Sequence, residues 1–235
     1  WFVSLMNRVQ ANGNLNVRST VAGTLLGTQA SGNLGNIIGG PQTASLNGTS
    51  YTWWSVNWDT GVDGWVADIG LVIQTVDVQP LNVSPGNNNV TAGGSLTVSW
   101  QIRNNGTGTA GSSNSQVRMT TSNTNWGNSS NNVGTAQATG TIGAGATISQ
   151  STTVTVPSTP GTYYMWVIAD NNSALTQSNT SNDFAVYSTA VSVTPPPTTS
   201  NPSGTTTTSG TTTQTYFSGS YTPSFPYGYT AKYTV

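Results

Sequence analysis

The chain has 235 residues, a net charge of −1 and only 5% charged side chains, against roughly a quarter in ordinary soluble domains. It contains no His, no Cys, no Glu and a single Lys, Lys232, which removes most of the groups that act as general bases, activate nucleophiles or bind zinc. Six Asp and four Arg remain, too few and too scattered for a nucleic-acid footprint, so the composition reads as non-catalytic, without a cofactor and without a nucleic-acid partner.

Eight Trp, nine Tyr and four Phe supply the apolar surface for a core despite the low charge. No apolar run approaches the roughly 20 residues of a membrane span. Helical periodicity is nearly absent, while alternating runs punctuated by Gly, Asn, Pro and Ser recur throughout, the pattern of an all-β chain. The expected fold is a small SH3-like barrel, then an immunoglobulin-like β-sandwich, a flexible linker and a C-terminal strand.

The segment 1–10 is apolar and reads as an extension outside both domains. Beginning at Trp1 rather than Met, the sequence reads as processed or a fragment. The first domain is placed at 11–75. It carries Leu15-Asn16-Val17-Arg18-Ser19, Gly27-Thr28, the double Trp53-Trp54, Val56 and Gly64-Trp65-Val66-Ala67. In order and spacing these residues resemble a bacterial SH3 (SH3b) domain, which implies a strongly bent barrel and, in many members, peptidoglycan or peptide binding. Alternation puts Trp54, Val56 and Trp58 on one face and Trp53, Ser55 and Asn57 on the other. Packing is the main role expected of these Trp; if a ligand groove exists, Tyr51, Trp53 and Trp58 are its first candidates. Asp59-Thr60-Gly61 is the tripeptide of an aspartic protease, but such an enzyme needs two facing copies. Here it reads as a hairpin turn.

The second domain is placed at 76–193. Leu96, Val98, Trp100 and Ile102 alternate with polar residues as in a half-buried strand, and TYYMWVIAD (162–170) reads as a central strand covered on both faces. Ala92-Gly93-Gly94, Asn104-Asn105-Gly106-Thr107, Ile142-Gly143-Ala144-Gly145, Pro160-Gly161-Thr162-Tyr163, Ala169-Asp170 and Ser181-Asn182-Asp183 resemble a CARDB domain. That resemblance implies an immunoglobulin-like sandwich of microbial surface proteins and a role in adhesion or spacing. Asp170, Asn171, Asn172 and Asp183 could meet at one end and hold Ca²⁺, yet two carboxylates are few for a hard cation and Asx residues also build turns. No metal is assigned.

The Pro/Thr/Ser tract at 194–215 reads as an extended linker. In the aromatic segment 216–235, Phe225, Tyr227, Tyr229 and Tyr233 share one face of an alternating strand without a partner of its own. Such a strand docks on a neighbouring copy, folds back, stays disordered or opens a further domain; the docking reading is favoured. Asn47, Asn82, Asn89, Asn105, Asn128, Asn171 and Asn179 each begin an Asn-X-Ser/Thr glycosylation signal. Together these features point to a secreted, cell-surface glycoprotein that polymerises with itself. The alternative is a cell-wall or glycan-binding module, with peptidoglycan as partner, cut from a larger secreted protein.

Overall fold

A computed structural model describes residues 7–197, together with the backbone of 204–209 and 212–217. Residues 7–195 fall within one compact unit that holds a curled sheet followed by a sandwich.

The curled sheet is built from β1 (Arg8–Ala11), β2 (Leu15–Arg18), β3 (Leu25–Gln29), β4 (Leu34–Leu46), β5 (Thr49–Trp58), β6 (Gly64–Ala67) and β7 (Leu71–Ile73), in the spatial order β3-β2-β6-β5-β4-β1-β7. The long β4–β5 hairpin closes with Leu46 opposite Thr49. Asn47 and Gly48 both have positive φ, 50° and 80°, as a two-residue primed turn requires. Val9, Val17, Ile37, Trp54, Val56, Trp58 and Val66 form the core. The expected extension at 1–10 is corrected here. Residues 8–11 are β1, inserted between β4 and β7, and Val9 is fully buried. Its short, polar-flanked pattern gave alternation too little length to register.

The sandwich comprises β8 (Val78–Pro85), β9 (Asn89–Thr91), β10 (Ser95–Asn104), β11 (Ser113–Thr120), β12 (Gln137–Thr139), β13 (Thr147–Thr155), β14 (Gly161–Ile168), β15 (Phe184–Val186) and β16 (Val191–Thr194). One sheet runs β13-β10-β8; the other runs β12-β11-β14-β16-β9, with β15 also paired to β14. The alternation of β10 is realised: Leu96, Val98, Trp100 and Ile102 all point into the core. They meet Val117, Met119, Met165 and Val167 of the facing sheet, the interdigitation by which sandwiches bury two inner faces. As expected of a central strand, β14 is flanked by β11, β15 and β16, and Met165 to Ile168 are all buried.

One buried amide organises the loop that follows β10. Asn104 is 0% exposed. Its Nδ2 donates to the carbonyls of Gly108 at 2.7 Å, Ile142 at 3.0 Å and Gly143 at 3.3 Å. Its Oδ1 accepts from the Gly106 N–H at 3.0 Å and the Asp77 N–H at 3.3 Å. The loop thereby presses against the segment joining the two sheets: Thr107 Oγ1 donates to the Ile73 carbonyl at 2.6 Å, and the Gly108 N–H donates to the Thr75 carbonyl. A Cβ on Gly106 would run into that same Thr75 carbonyl, so only glycine permits the approach.

The second compact unit holds an antiparallel hairpin, β17 (Gly204–Ser209) with β18 (Thr212–Phe217), in register from Gly204 opposite Phe217 to Ser209 opposite Thr212. This corrects the reading of the whole 194–215 tract as unpaired linker. Its Thr-rich run is β-branched and suited to a ladder, a preference that its low hydrophobicity masks.

Asn104→Ala should lower unfolding stability by about 2–4 kcal/mol, since it strands buried carbonyls and N–H groups without partners. Gly106→Ala should cost about 1–3 kcal/mol by overpacking the same seam. Chemical denaturation of the two variants checks both figures, and a loss under about 0.5 kcal/mol, the range of ordinary surface substitutions, would refute either.

Candidate functional site

The residues expected to line a groove on the curled sheet do not share one surface. Trp58 is 5% exposed and packs in the core with Val9 and Val56, so it is removed from the candidate groove. Trp53 lies on the opposite face of β5 but is also covered, at 1% exposure. The β4–β5 hairpin curls over it, its Nε1 donates to the Ala44 carbonyl at 3.0 Å, and Tyr51 meets it edge to face at 6.1 Å. Tyr51 is half-buried. With Trp53, Leu15, Arg18, Leu46 and Ile69 it lines a shallow cleft of about 210 Å³, too small for the roughly 300 Å³ of an ordinary ligand pocket. Sequence alternation put Trp53 and Trp58 on opposite faces of the strand, as found; the curl that covers Trp53 is a tertiary property.

Asp59 sits in the expected turn and is bound by both terminal nitrogens of Arg8, Nη1 reaching Oδ1 at 2.6 Å and Nη2 reaching Oδ2. This bidentate pair is the ion pair formed among the described residues. The Arg8 hydrogen bonds hold the Asp59 carboxyl below its usual range.

At the end of the sandwich the four oxygen-bearing residues are spent on building loops. Asp170, at φ 43°, accepts from the backbone N–H groups of Ala174 at 2.9 Å and Leu175 at 3.1 Å. Asn172 Oδ1 accepts from the Asn114 N–H, and Asn171 Oδ1 accepts from Arg118 Nη2 at 2.9 Å. Both Asp183 oxygens accept from Gln177 Nε2 at 3.0 Å. Burial pushes the Asp183 carboxyl up to about 6, the charges of Asp170 and Asp77 add to that rise, and the Gln177 bond opposes it. Among the described residues, no three His, Cys, Asp or Glu side chains stand close enough to hold a metal ion.

Six of the glycosylation candidates, Asn47, Asn82, Asn89, Asn105, Asn128 and Asn179, are exposed. Asn171 is half-buried and engaged by Arg118, which makes it the poorest acceptor of the seven. The assembly candidates Phe225, Tyr227, Tyr229 and Tyr233 lie outside the described residues.

Sequence reading missed the most unusual surface of the sandwich. Trp126 and Phe184 stack with centroids 5.7 Å apart, and they remain 36% and 37% exposed. Phe184 meets the buried Trp166 edge to face at 6.1 Å. Beneath Trp126 lies the Arg118 guanidinium, 5.0 Å from the ring centroid. Arg118 is 6% exposed and bonds only neutral acceptors: Asn132 Oδ1 at 2.8 Å, the Gly127 carbonyl at 3.4 Å and Asn171 Oδ1. Its desolvation lowers the guanidinium pKa, and the ring face over it offsets part of that cost. The available signal was a lone Trp in the otherwise polar 121–135 stretch, where no alternation accounts for it.

Comparison with protein families gives a match to the CARDB model over residues 71–186. Residues 71–186 form a CARDB domain. The match begins at β7 of the curled sheet and ends before β16, although β16 pairs with both β14 and β9 and completes the sandwich. Two solved structures of the CARDB domain of a Pyrococcus furiosus protein are similar to this chain. One, a crystal structure described as a complex with di-metal ions, shares 14% identity with a TM-score of 0.39, covering 51% of this chain and 89% of that one. The other, a solution NMR structure, shares 15% identity with a TM-score of 0.39, covering 52% and 97%. No curated protein gives a significant match. CARDB domains are a non-catalytic, immunoglobulin-like family.

The two perturbed carboxylates act on stability with opposite sign. Asp183 has a raised folded pKa, so between about pH 4 and about pH 6 the native state holds a proton that the unfolded state has released. Its contribution therefore falls as pH rises through that window. Asp59 is depressed, so its contribution is present above the unfolded value and lost as pH falls through the folded one. Asp183→Asn should remove the decline between pH 4 and pH 6, as read from thermal melts across that range. An unchanged profile would contradict the assignment.

Proposed function

We propose that this chain is a non-catalytic, extracellular structural or adhesive protein, and that it is the repeating subunit of a cell-surface fibre or sheath. The observation that carries this reading is the pairing of a CARDB sandwich with a chain that is only 5% charged and has a net charge of −1. Proteins that must stay apart in solution use net charge to repel one another. A surface of Thr, Ser, Asn and Gly repels little, so it tolerates dense packing against identical copies or a coat of sugar on the exposed Asn sites.

The alternating aromatic face of Phe225, Tyr227, Tyr229 and Tyr233 supplies a docking element. A strand of this kind satisfies its backbone by adding to the sheet edge of another copy, and a head-to-tail contact whose rotation does not close propagates into a filament. The curled sheet serves as an SH3b-like spacer in this reading. We assign it no catalytic role, because Asp59, the residue of the protease-like tripeptide, is neutralised by Arg8.

The di-metal ions of the Pyrococcus relative are not carried over. A hard cation needs six to eight oxygens with several carboxylates, and here Asp170 is committed to the backbone of its own loop while Asp183 is committed to Gln177.

Negative-stain microscopy of the full chain should show regular polymers, and deletion of residues 216–235 should abolish them while leaving the thermal melt of the sandwich intact. A full chain that stays monomeric at high concentration, or a deletion variant that polymerises as before, would sink the proposal.

A further inference from the structure

From the geometry around Trp126 we infer a second site, a saccharide-binding surface on the sandwich formed by Trp126 and Phe184, which takes an uncharged pyranose oligosaccharide. This inference stands apart from the fibre reading, since a monomer can carry it equally well.

Two large aromatic rings each leave more than a third of their surface in water, although the buried Trp166 lies against Phe184. Large exposed apolar groups are the informative exceptions on a folded surface. The patch is a single stacked pair of rings, far below the roughly 800 Å² per partner of a stable protein interface, and it suits one or two sugar rings.

The loop that carries Trp126 is fixed by its own hydrogen bonds. Thr120 Oγ1 donates to the carbonyls of Ser122 at 2.7 Å and Asn125 at 3.0 Å, and the Gly127 N–H donates to Asn125 Oδ1 at 2.9 Å. Asn128 caps the short 3-10 turn at Ser129–Asn131 in a reciprocal capping box. Trp166 Nε1 donates to Thr120 Oγ1 at 3.1 Å and to the Ser122 carbonyl at 3.2 Å, which ties the loop to β14. Arg118 and Phe184 then hold the indole in one orientation. A ring held in place before the ligand arrives loses little entropy on binding.

Sugar rings offer apolar C–H faces to an aromatic surface and hydroxyls to neutral donors and acceptors. No carboxylate or Lys among the described residues bonds to Arg118, Trp126 or Phe184; the surroundings are Asn, Ser, Thr and backbone carbonyls. The Trp126 indole N–H makes no hydrogen bond among the described residues, and Asn125 keeps its Nδ2 donors after its Oδ1 has accepted from Gly127. Two unspent neutral donor groups beside an apolar ring match a hydroxyl-bearing ligand better than an ion or a lipid.

The test uses unglycosylated full-length chain titrated with soluble oligomers of N-acetylglucosamine, glucose and mannose, followed by NMR of the indole N–H signals. The Trp126 signal is assigned by its loss in Trp126→Ala. Saturable movement of that signal with at least one series is expected, with at least about a tenfold affinity loss in both Trp126→Ala and Phe184→Ala. Phe184→Tyr keeps the ring and should keep binding, which separates loss of the site from loss of the fold. The inference is overturned if none of the three series moves the Trp126 signal up to millimolar concentration. It is equally overturned if binding survives in Trp126→Ala.

Discussion

Neutral amides, buried and each bonded to several neighbours at once, organise the loops of the described residues in a chain with few charges. Asn104 is the clearest instance, a fully buried side chain that reaches five backbone groups on three segments. The half-buried Gln150 acts similarly between the sheets, accepting from Trp100 Nε1 at 3.0 Å and Ser115 Oγ at 2.8 Å while its Nε2 donates to the Ala138 carbonyl. In the curled sheet Gln29, 1% exposed, donates to the carbonyls of Thr60 and Val62 and accepts from Asn33. An amide costs far less to bury than an ion, provided its partners are all present. A chain with 5% charged residues can therefore still fix long loops uniquely.

Those networks also position the surface chemistry. The loop after β11 folds around Asn and Thr side chains, and what it delivers to the surface is one indole ring above one arginine. Arg118 pays a desolvation cost without a carboxylate partner and is served instead by two Asn, a carbonyl and the ring face. The same economy of charge that suits a self-packing surface leaves an aromatic and amide patch as the most chemically distinct feature of the CARDB domain.

Much of this was legible in sequence where one local rule decided the outcome. The period-two runs of β10 and β14 marked core strands, because burial on one or both faces of a strand writes itself directly into alternation. Asn47-Gly48 carries the turn chemistry of its hairpin, a local signal that the sequence reading used only as a glycosylation candidate. The limits were equally physical. β1 is four residues long and is defined by its neighbours β4 and β7 rather than by its own pattern. Trp53 is buried by curvature, which a face assignment does not contain. Trp126 and Phe184 are 58 positions apart in sequence and meet only because β15 pairs with β14 beside the 121–135 loop. The Asn104 hub lay within the family motif as a residue type, but its five partners come from tertiary structure.

Charge should contribute almost nothing to the stability of the curled sheet and the sandwich, and salt tests that directly. Raising ionic strength from about 0.01 M to about 1 M sodium chloride shortens the screening length from roughly 30 Å to roughly 3 Å, which should remove exposed ion-pair contributions. Thermal melts of the full chain at neutral pH across that range should show no drop in midpoint beyond the small effect of the Arg8–Asp59 pair. A midpoint that falls steeply with salt would mean that ionic contacts, not buried amides and apolar cores, hold the molecule together.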